Sequence, residues 1–389
     1  MREAKRISSV PPYLFARIDK KRDELKASGV DVIDLGVGDP DMPTFPEIVS
    51  TMHKAIDDPK THNYPPYQGT ADFRLAVALW YKKRFNVSLD ADKEVLSLIG
   101  SKEGIAHVFL AFIDPGDVAL IPDPGYPVYK IGTIFSGGIP HSVPLLESNG
   151  FLPDLDAIDK KVLGKAKLLF INYPNNPTAA VCGKDFLQKA VSFAKENDLL
   201  LCSDLAYSEV AFDGFKPMSV LEIEGAKDVC IEFHSLSKTY NMTGWRIGMA
   251  VGSARAIAAL SIIKTNIDSG AFKAIQAAAV AALTELPART KEINAIYEKR
   301  RDVLVDGLNS LGLKIAKPRA TFYVWARVPK GYTSESFCAE VLEKAGVLLV
   351  PGSGYGEFGE GYFRASITTP EEKLSESVAR LKRAKIQWK

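Results

Sequence analysis

The chain of 389 residues has little of the two side chains that most often hold metals, with four cysteines and five histidines. Cys182, Cys202, Cys230 and Cys338 are far apart and form no C-x-x-C pair. His53, His62, His107, His141 and His234 make no H-E-x-x-H or other compact ligand pattern. The expectation is core cysteines in a reducing compartment and no protein-bound metal. An excess of one charge is also lacking: 49 Lys plus Arg against 47 Asp plus Glu leave +2. That balance argues against a nucleic-acid binder, whose affinity needs clustered cations. The densest basic run, Arg380, Lys382, Arg383 and Lys385, reads as a solvated helix face. No run approaches the roughly 18 uncharged apolar residues of a membrane span. The charged opening Met1 to Arg6 leads into Pro11-Pro12 without the apolar core of a secretory signal, so the expected location is the cytoplasm. Solenoid repeats and low-complexity tracts are missing too.

What is present is an ordinary globular composition, 46% hydrophobic with 29 Gly and 23 Pro, long enough for two domains or three. Short apolar runs at 118–121, 168–171, 199–202, 229–233 and 247–251 look like strands covered on both faces. Helical patterns such as 101–113 and 184–197 lie between several of them, which predicts an α/β unit with a mostly parallel central sheet and helices on both faces. After an Ala-rich helical stretch at 271–286 and a charged helix at 293–311, the pattern changes. Strand-like runs at 321–326 and 362–367 flank a glycine-rich loop, Pro351 to Gly361, before a final helix. This predicts a smaller α+β domain, joined by the short strand Val32 to Leu35. The expected division is 44–285 for the large domain and 1–43 with 286–389 for the small one, with a cleft between them.

In open α/β sheets ligands bind beyond the carboxyl ends of the strands, so the polar residues just after each apolar run are informative. Here they are Asn172-Tyr173-Pro174-Asn175-Asn176-Pro177, then Ser203-Asp204-Leu205-Ala206-Tyr207, then His234-Ser235-Leu236-Ser237-Lys238. An amide, a carboxylate, a phenol, hydroxyls and an amine thus converge on one sheet edge. A lysine there loses hydration, which lowers its pKa and suits it to a Schiff base with a carbonyl cofactor. Taken alone, Lys238 reads as a surface lysine opening a helix and Asp204 as a helix cap. The set reverses both readings. Gly36-Val37-Gly38-Asp39-Pro40-Asp41 is no dinucleotide fingerprint, because Asp41 replaces the third glycine and the prolines oppose an immediate helix. Gly352-Ser353-Gly354-Tyr355-Gly356 lacks the Gly-Lys-Ser/Thr of a P-loop and fits a loop bordering the cleft.

Asn-Asn-Pro-Thr at 175–178, Asp204-x-x-Tyr207, and Ser235-x-Ser237-Lys238 with Arg246 eight residues later resemble, in order and spacing, the class I/II (fold type I) pyridoxal-phosphate aminotransferases. The resemblance implies pyridoxal 5′-phosphate as cofactor, with Lys238 as its Schiff-base and proton-transfer residue and Asp204 paired with the pyridine nitrogen. It implies that Asn176 and Tyr207 hydrogen-bond the ring's 3′ oxygen and that Tyr126 stacks on the ring. Ser101 and Lys102, at a helix N-terminus suited to an anion, would form the phosphate cup with Ser235, Ser237 and Arg246. Tyr64 would reach the phosphate of a neighbouring subunit, which implies a homodimer with shared sites. Arg364 would take the substrate α-carboxylate, as planar bidentate recognition requires, helped by Asn176 and the backbone at Gly38.

Within the family, segments at 11–15, 99–107, 205–214, 233–248 and 264–270 are most similar to those of bacterial members that exchange amino groups between LL-diaminopimelate and 2-oxoglutarate, feeding lysine and cell-wall synthesis. Tyr13, Tyr67 and the Asn266 to Gly270 segment are the candidates for reading the substrate's distal groups, although loop aromatics and Ser-Gly turns need no ligand. Ala179 and Thr239 depart from the family's usual Gly and Pro, flanking rather than supplying the chemistry. A transaminase for aspartate, alanine or aromatic amino acids stays open, as does a lyase of the same fold. A non-catalytic sensor fused to a DNA-binding module is disfavoured, since no helix-turn-helix fits before Asp34.

Overall fold

The computed structural model describes residues 1–10, 20, 22–25, 27–286 and 288–388. Its strands are β1 (Ile33–Asp34), β2 (Val95–Leu98), β3 (Val118–Asp123), β4 (Ile139–Pro144), β5 (Ala166–Ile171), β6 (Leu200–Asp204), β7 (Cys230–Ser235), β8 (Gly248–Gly252), β9 (Tyr323–Arg327), β10 (Val347–Leu348), β11 (Val350–Pro351) and β12 (Tyr362–Ser366). Seven of them form one sheet in the order β2-β8-β7-β6-β5-β3-β4. Every pair in it is parallel except the two made by β8, which runs antiparallel to β2 and β7.

Alternate residues of a strand face opposite sides, and here both sides are dry. Leu169 and Ile171 of β5 join a core with Trp80, Leu201 and Met249, whereas Leu168 and Phe170 join another with Phe109, Phe233 and Ile257. The covering helices follow from sequence spacing: in Lys184–Glu196 the buried residues are Leu187, Ala190, Val191, Phe193 and Ala194, a helical stripe. The Ala-rich stretch forms Lys273–Glu285 and packs closely on the helices Pro46–Ile56 and Ala71–Phe85, the small side chains allowing near approach. Edge strand β4 carries Pro140 and is partly exposed, as an edge tolerates.

A third core, with Leu304, Phe322, Val324 and Phe363, underlies the antiparallel sheet β11-β12-β9. β1 pairs in parallel with β10, and Ser366 N donates to Leu35 O at 2.7 Å, so the N-terminal strand is built into this region. Observed elements differ from the sequence reading at their ends. Val229 closes a short helix rather than opening a strand, and β2 and β4 are additional.

Glu232 is fully buried on β7, accepting hydrogen bonds from Tyr81 Oη (3.1 Å), Ser203 Oγ (3.0 Å), Ser219 Oγ (2.6 Å) and Val220 N (3.1 Å). Burial outweighs these donors and pushes its carboxyl up to about 7 from the usual 4.5. A raised folded-state pKa gives stability that is fully present below the unfolded pKa and is lost as pH rises through 7. Glu232→Gln should therefore narrow the stability gap between pH 5 and pH 8 by up to about 3 kcal/mol. Denaturant melts of both proteins at both pH values check this; parallel pH profiles would contradict it.

Candidate active site

Strand β6 ends in Asp204, whose carboxylate is buried. Its Oδ2 accepts from Tyr129 Oη at 2.7 Å, and among the described residues its Oδ1 has no partner. Burial raises this carboxyl to about 6, against the pull of the Tyr129 hydrogen bond and the Ala206 backbone. Asn172, the first residue beyond β5, donates through Nδ2 to Asp204 O at 2.7 Å and accepts from Asn176 N at 2.8 Å. One amide therefore fixes the spacing of two strand-end loops.

β7 ends in Ser235, whose hydroxyl accepts from Ser237 N at 3.3 Å and so caps the short helix Leu236–Thr239 that carries Lys238. Lys238 Nζ stands 3.3 Å from Gly38 O and 3.4 Å from Asp39 Oδ1. Beneath it, His234 contacts Leu205 O through Nδ1 and Thr239 Oγ1 through Nε2, both at 3.1 Å. Burial lowers this imidazole to about 4, so it is a neutral brace between the Asp204 and Lys238 segments.

The helix Ser101–Phe112 starts at Gly100 without a side-chain cap, leaving first-turn N–H groups for an anion. Gly100 has φ +79°, and a Cβ there would come within 2.3 Å of Arg246 Nη2. Arg246 takes a left-handed conformation, φ +56°, and donates to Thr243 O at 2.8 Å. Its guanidinium thus packs over the helix N-terminus. Lys102 Nζ lies 5.9 Å from the Tyr126 ring centroid.

At the opposite end Arg364, on β12, is 1% exposed. It donates to Asn176 Oδ1 at 2.9 Å and to Gly36 O at 2.5 Å, and its guanidinium covers the Tyr323 ring at 4.1 Å. Tyr323 shares a 2.9 Å hydroxyl contact with Tyr207, whose phenol is held well above its ordinary pKa by burial and then by that neighbour.

These groups border one cleft of about 450 Å³. Gly38, Ser101, Lys102, Tyr126, Asn176, Asp204, Tyr207, Ser235, Ser237, Lys238, Arg246 and Arg364 all line it. Tyr64 and Tyr67 do not, being 84% and 50% exposed, and Tyr13 lies outside the described residues. Tyr67 lies beside the Asn266 to Gly270 segment: a Cβ on Gly270 would be 3.9 Å from Tyr67 O. Sequence reasoning missed Tyr129 and Tyr323, phenols inside apolar stretches, and gave Asn172 and His234 no role. For the last two the signal was their position, polar groups at the ends of buried strands. One cluster of metal-type ligands occurs among the described residues, Glu103, His107 and Asp268. The chain's own cation occupies it, with Lys264 Nζ 3.3 Å from Glu103 Oε2 and 2.8 Å from Asp268 Oδ1.

Residues 30–381 match the family model described as aminotransferase class I and II. Two curated relatives named LL-diaminopimelate aminotransferase, from Moorella thermoacetica and Aquifex aeolicus, are 55% and 54% identical, each over 98% of this chain and 98% of the relative. Among solved structures, substrate-bound BacF from Bacillus subtilis superposes with a TM-score of 0.96 at 38% identity, covering 100% of this chain and 99% of that one. A mutant aspartate aminotransferase of Thermus thermophilus gives 0.92 at 30% identity, covering 99% and 100%.

Proposed function

Since the chain belongs to the aminotransferase class I and II family and is a transaminase, we propose that it exchanges amino groups between LL-diaminopimelate and 2-oxoglutarate, using pyridoxal 5′-phosphate. The observation that carries the chemistry is the shared cleft: Lys238, Arg364 and Asp204, whose buried Oδ1 is unpartnered among the described residues, all line it. The names of relatives more than half identical over nearly their whole length support the substrate.

The cofactor fits these residues because an orphaned buried carboxylate oxygen needs a donor, and a protonated pyridine nitrogen is one. When bound, the cofactor supplies a carbonyl carbon that carries the amino group and a cationic ring that takes up electrons released at the substrate Cα. The residues do the rest. Asp204 keeps the ring nitrogen protonated, Tyr129 orients that carboxylate, and His234 and Asn172 brace its surroundings. Lys238 Nζ would be the residue that holds the cofactor through its carbonyl carbon, and its free amine would move the proton to and from the substrate Cα. Asn176 spends its Oδ1 on Arg364, which leaves Nδ2 to donate, with Tyr207 Oη, to the ring oxygen. Tyr126 covers the ring. Ser101, Lys102, Ser235, Ser237 and Arg246 hold the phosphate, and Arg364 takes the α-carboxylate in a dry setting that strengthens the pair. Donor and acceptor use the site in turn.

The exposure of Tyr64 supports its reaching a second subunit, so the active unit is a homodimer, with Tyr67 and the Asn266 to Gly270 segment near the shared rim. The domain division is 44–285 against 1–43 with 286–389, and the enzyme works in the cytoplasm. No helix among the described residues is long and apolar enough to cross a membrane. The deciding experiment offers 2-oxoglutarate with LL-diaminopimelate, its meso isomer, aspartate, alanine or phenylalanine. We expect kcat/KM for the LL isomer to exceed the others by at least about 1,000-fold, more than the roughly 10-fold to 200-fold that a single apolar contact supplies. Turnover confined to the common amino acids would replace the substrate assignment while keeping the cofactor chemistry.

A further inference from the structure

A diamino dicarboxylate differs from the common amino donors in carrying a second ammonium, and a buried or half-buried ammonium needs an anionic partner. Among the described residues only two carboxylates line the cleft, Asp204 and Asp39. Asp204 is sunk beneath Tyr129. Asp39 stands at the mouth with its side chain 57% exposed, and it already receives an ammonium there, Lys238 Nζ at 3.4 Å.

The loop that presents Asp39 is firmly held. Arg364 donates to Gly36 O (2.5 Å), Thr368 Oγ1 to Val37 O (2.9 Å) and Lys238 to Gly38 O (3.3 Å). Two residues further on, Arg300 grips Asp41 with two hydrogen bonds of 2.7 and 2.9 Å. The same loop thus touches the arginine at the α-carboxylate end and, three residues later, carries an exposed carboxylate whose one contact among the described residues is the Lys238 amine.

We propose that Asp39 is a specificity-determining residue that pairs with the distal ammonium of the diamino dicarboxylate donor and disfavours donors whose distal end is a carboxylate alone. The proposal rests on the substrate reading above. It is tested on the holoenzyme with D39N, which keeps size and removes charge. Each donor is mixed with enzyme in the absence of acceptor, and the change in the visible spectrum is titrated for an apparent Kd.

For LL-diaminopimelate, D39N should raise the apparent Kd by about 10-fold to 100-fold, the usual loss of a charge-assisted contact. For glutamate it should lower the apparent Kd, because a repulsion is removed. The opposite directions distinguish recognition from structural damage, which would weaken both donors. A D39N protein that binds LL-diaminopimelate like the wild type, or weakens both donors alike, overturns the role of Asp39 and leaves the substrate reading standing. A wild type that does not act on LL-diaminopimelate overturns both.

Discussion

Lys238→Ala is expected to lower kcat by about 10,000-fold or more and to abolish the visible absorbance of the Schiff base, because covalent attachment and proton transfer are lost together. The geometry makes this lysine hard to replace. Its amine is fixed by Gly38 O and Asp39 on one side and by a capped four-residue helix on the other. Lys102, also on the cleft, sits over the Tyr126 ring at the start of the helix Ser101–Phe112. Lys238→Arg keeps the charge and cannot form the bond, so an equal loss is expected. Absorbance spectra and single-turnover rates measure both effects; a normal spectrum with a normal rate would sink the mechanism.

The second large effect is expected from Asp204→Asn. A unit-charge pair at 4 Å in an effective dielectric of 20 is worth about 4 kcal/mol, or about three pKa units on the partner. Losing it should cost kcat about 100-fold to 1,000-fold, while the amide can still accept from Tyr129. The pH dependence supplies an independent readout. In the protein without cofactor this carboxyl titrates near 6 because it is buried. Below that pH it is neutral and cannot pair with a ring cation, so wild-type affinity for the cofactor should fall as pH drops through 6. The Asn variant should lack that particular decline. Fluorescence titration of cofactor from pH 5 to 8 tests it, and identical profiles for the two proteins would contradict the role.

The strand-end chemistry was legible because each polar group follows a run of apolar residues at the edge where such sheets bind ligands. Asn176, Asp204 and Lys238 are consequently visible one after another in the sequence. Tyr129 and Tyr323 were not, since a phenol among apolar neighbours reads as core until its hydroxyl partner is known, and those partners lie 75 and 116 residues away. The reversed direction of β8 was hidden for a related reason: a strand buried on both faces has the same apolar pattern whichever way it runs. Edge strand β4 was hidden by its proline and exposed residues. Tyr64 and Tyr67 point to the opposite limit, since surface residues acquire a role only from a second molecule.

The loop from Gly36 to Asp41 holds three successive carbonyl groups in hydrogen bonds, and every amino acid has a carbonyl. Its shape is consequently independent of what stands at Val37 and Asp39, whereas Gly38 is fixed because a Cβ would strike the Tyr323 ring at 2.3 Å. Evolution and engineers alike are thus given two replaceable letters on a rigid line. Exchange at Val37 leaves every one of these bonds in place, whereas exchange at Asp39 also removes the 3.4 Å contact to Lys238 Nζ.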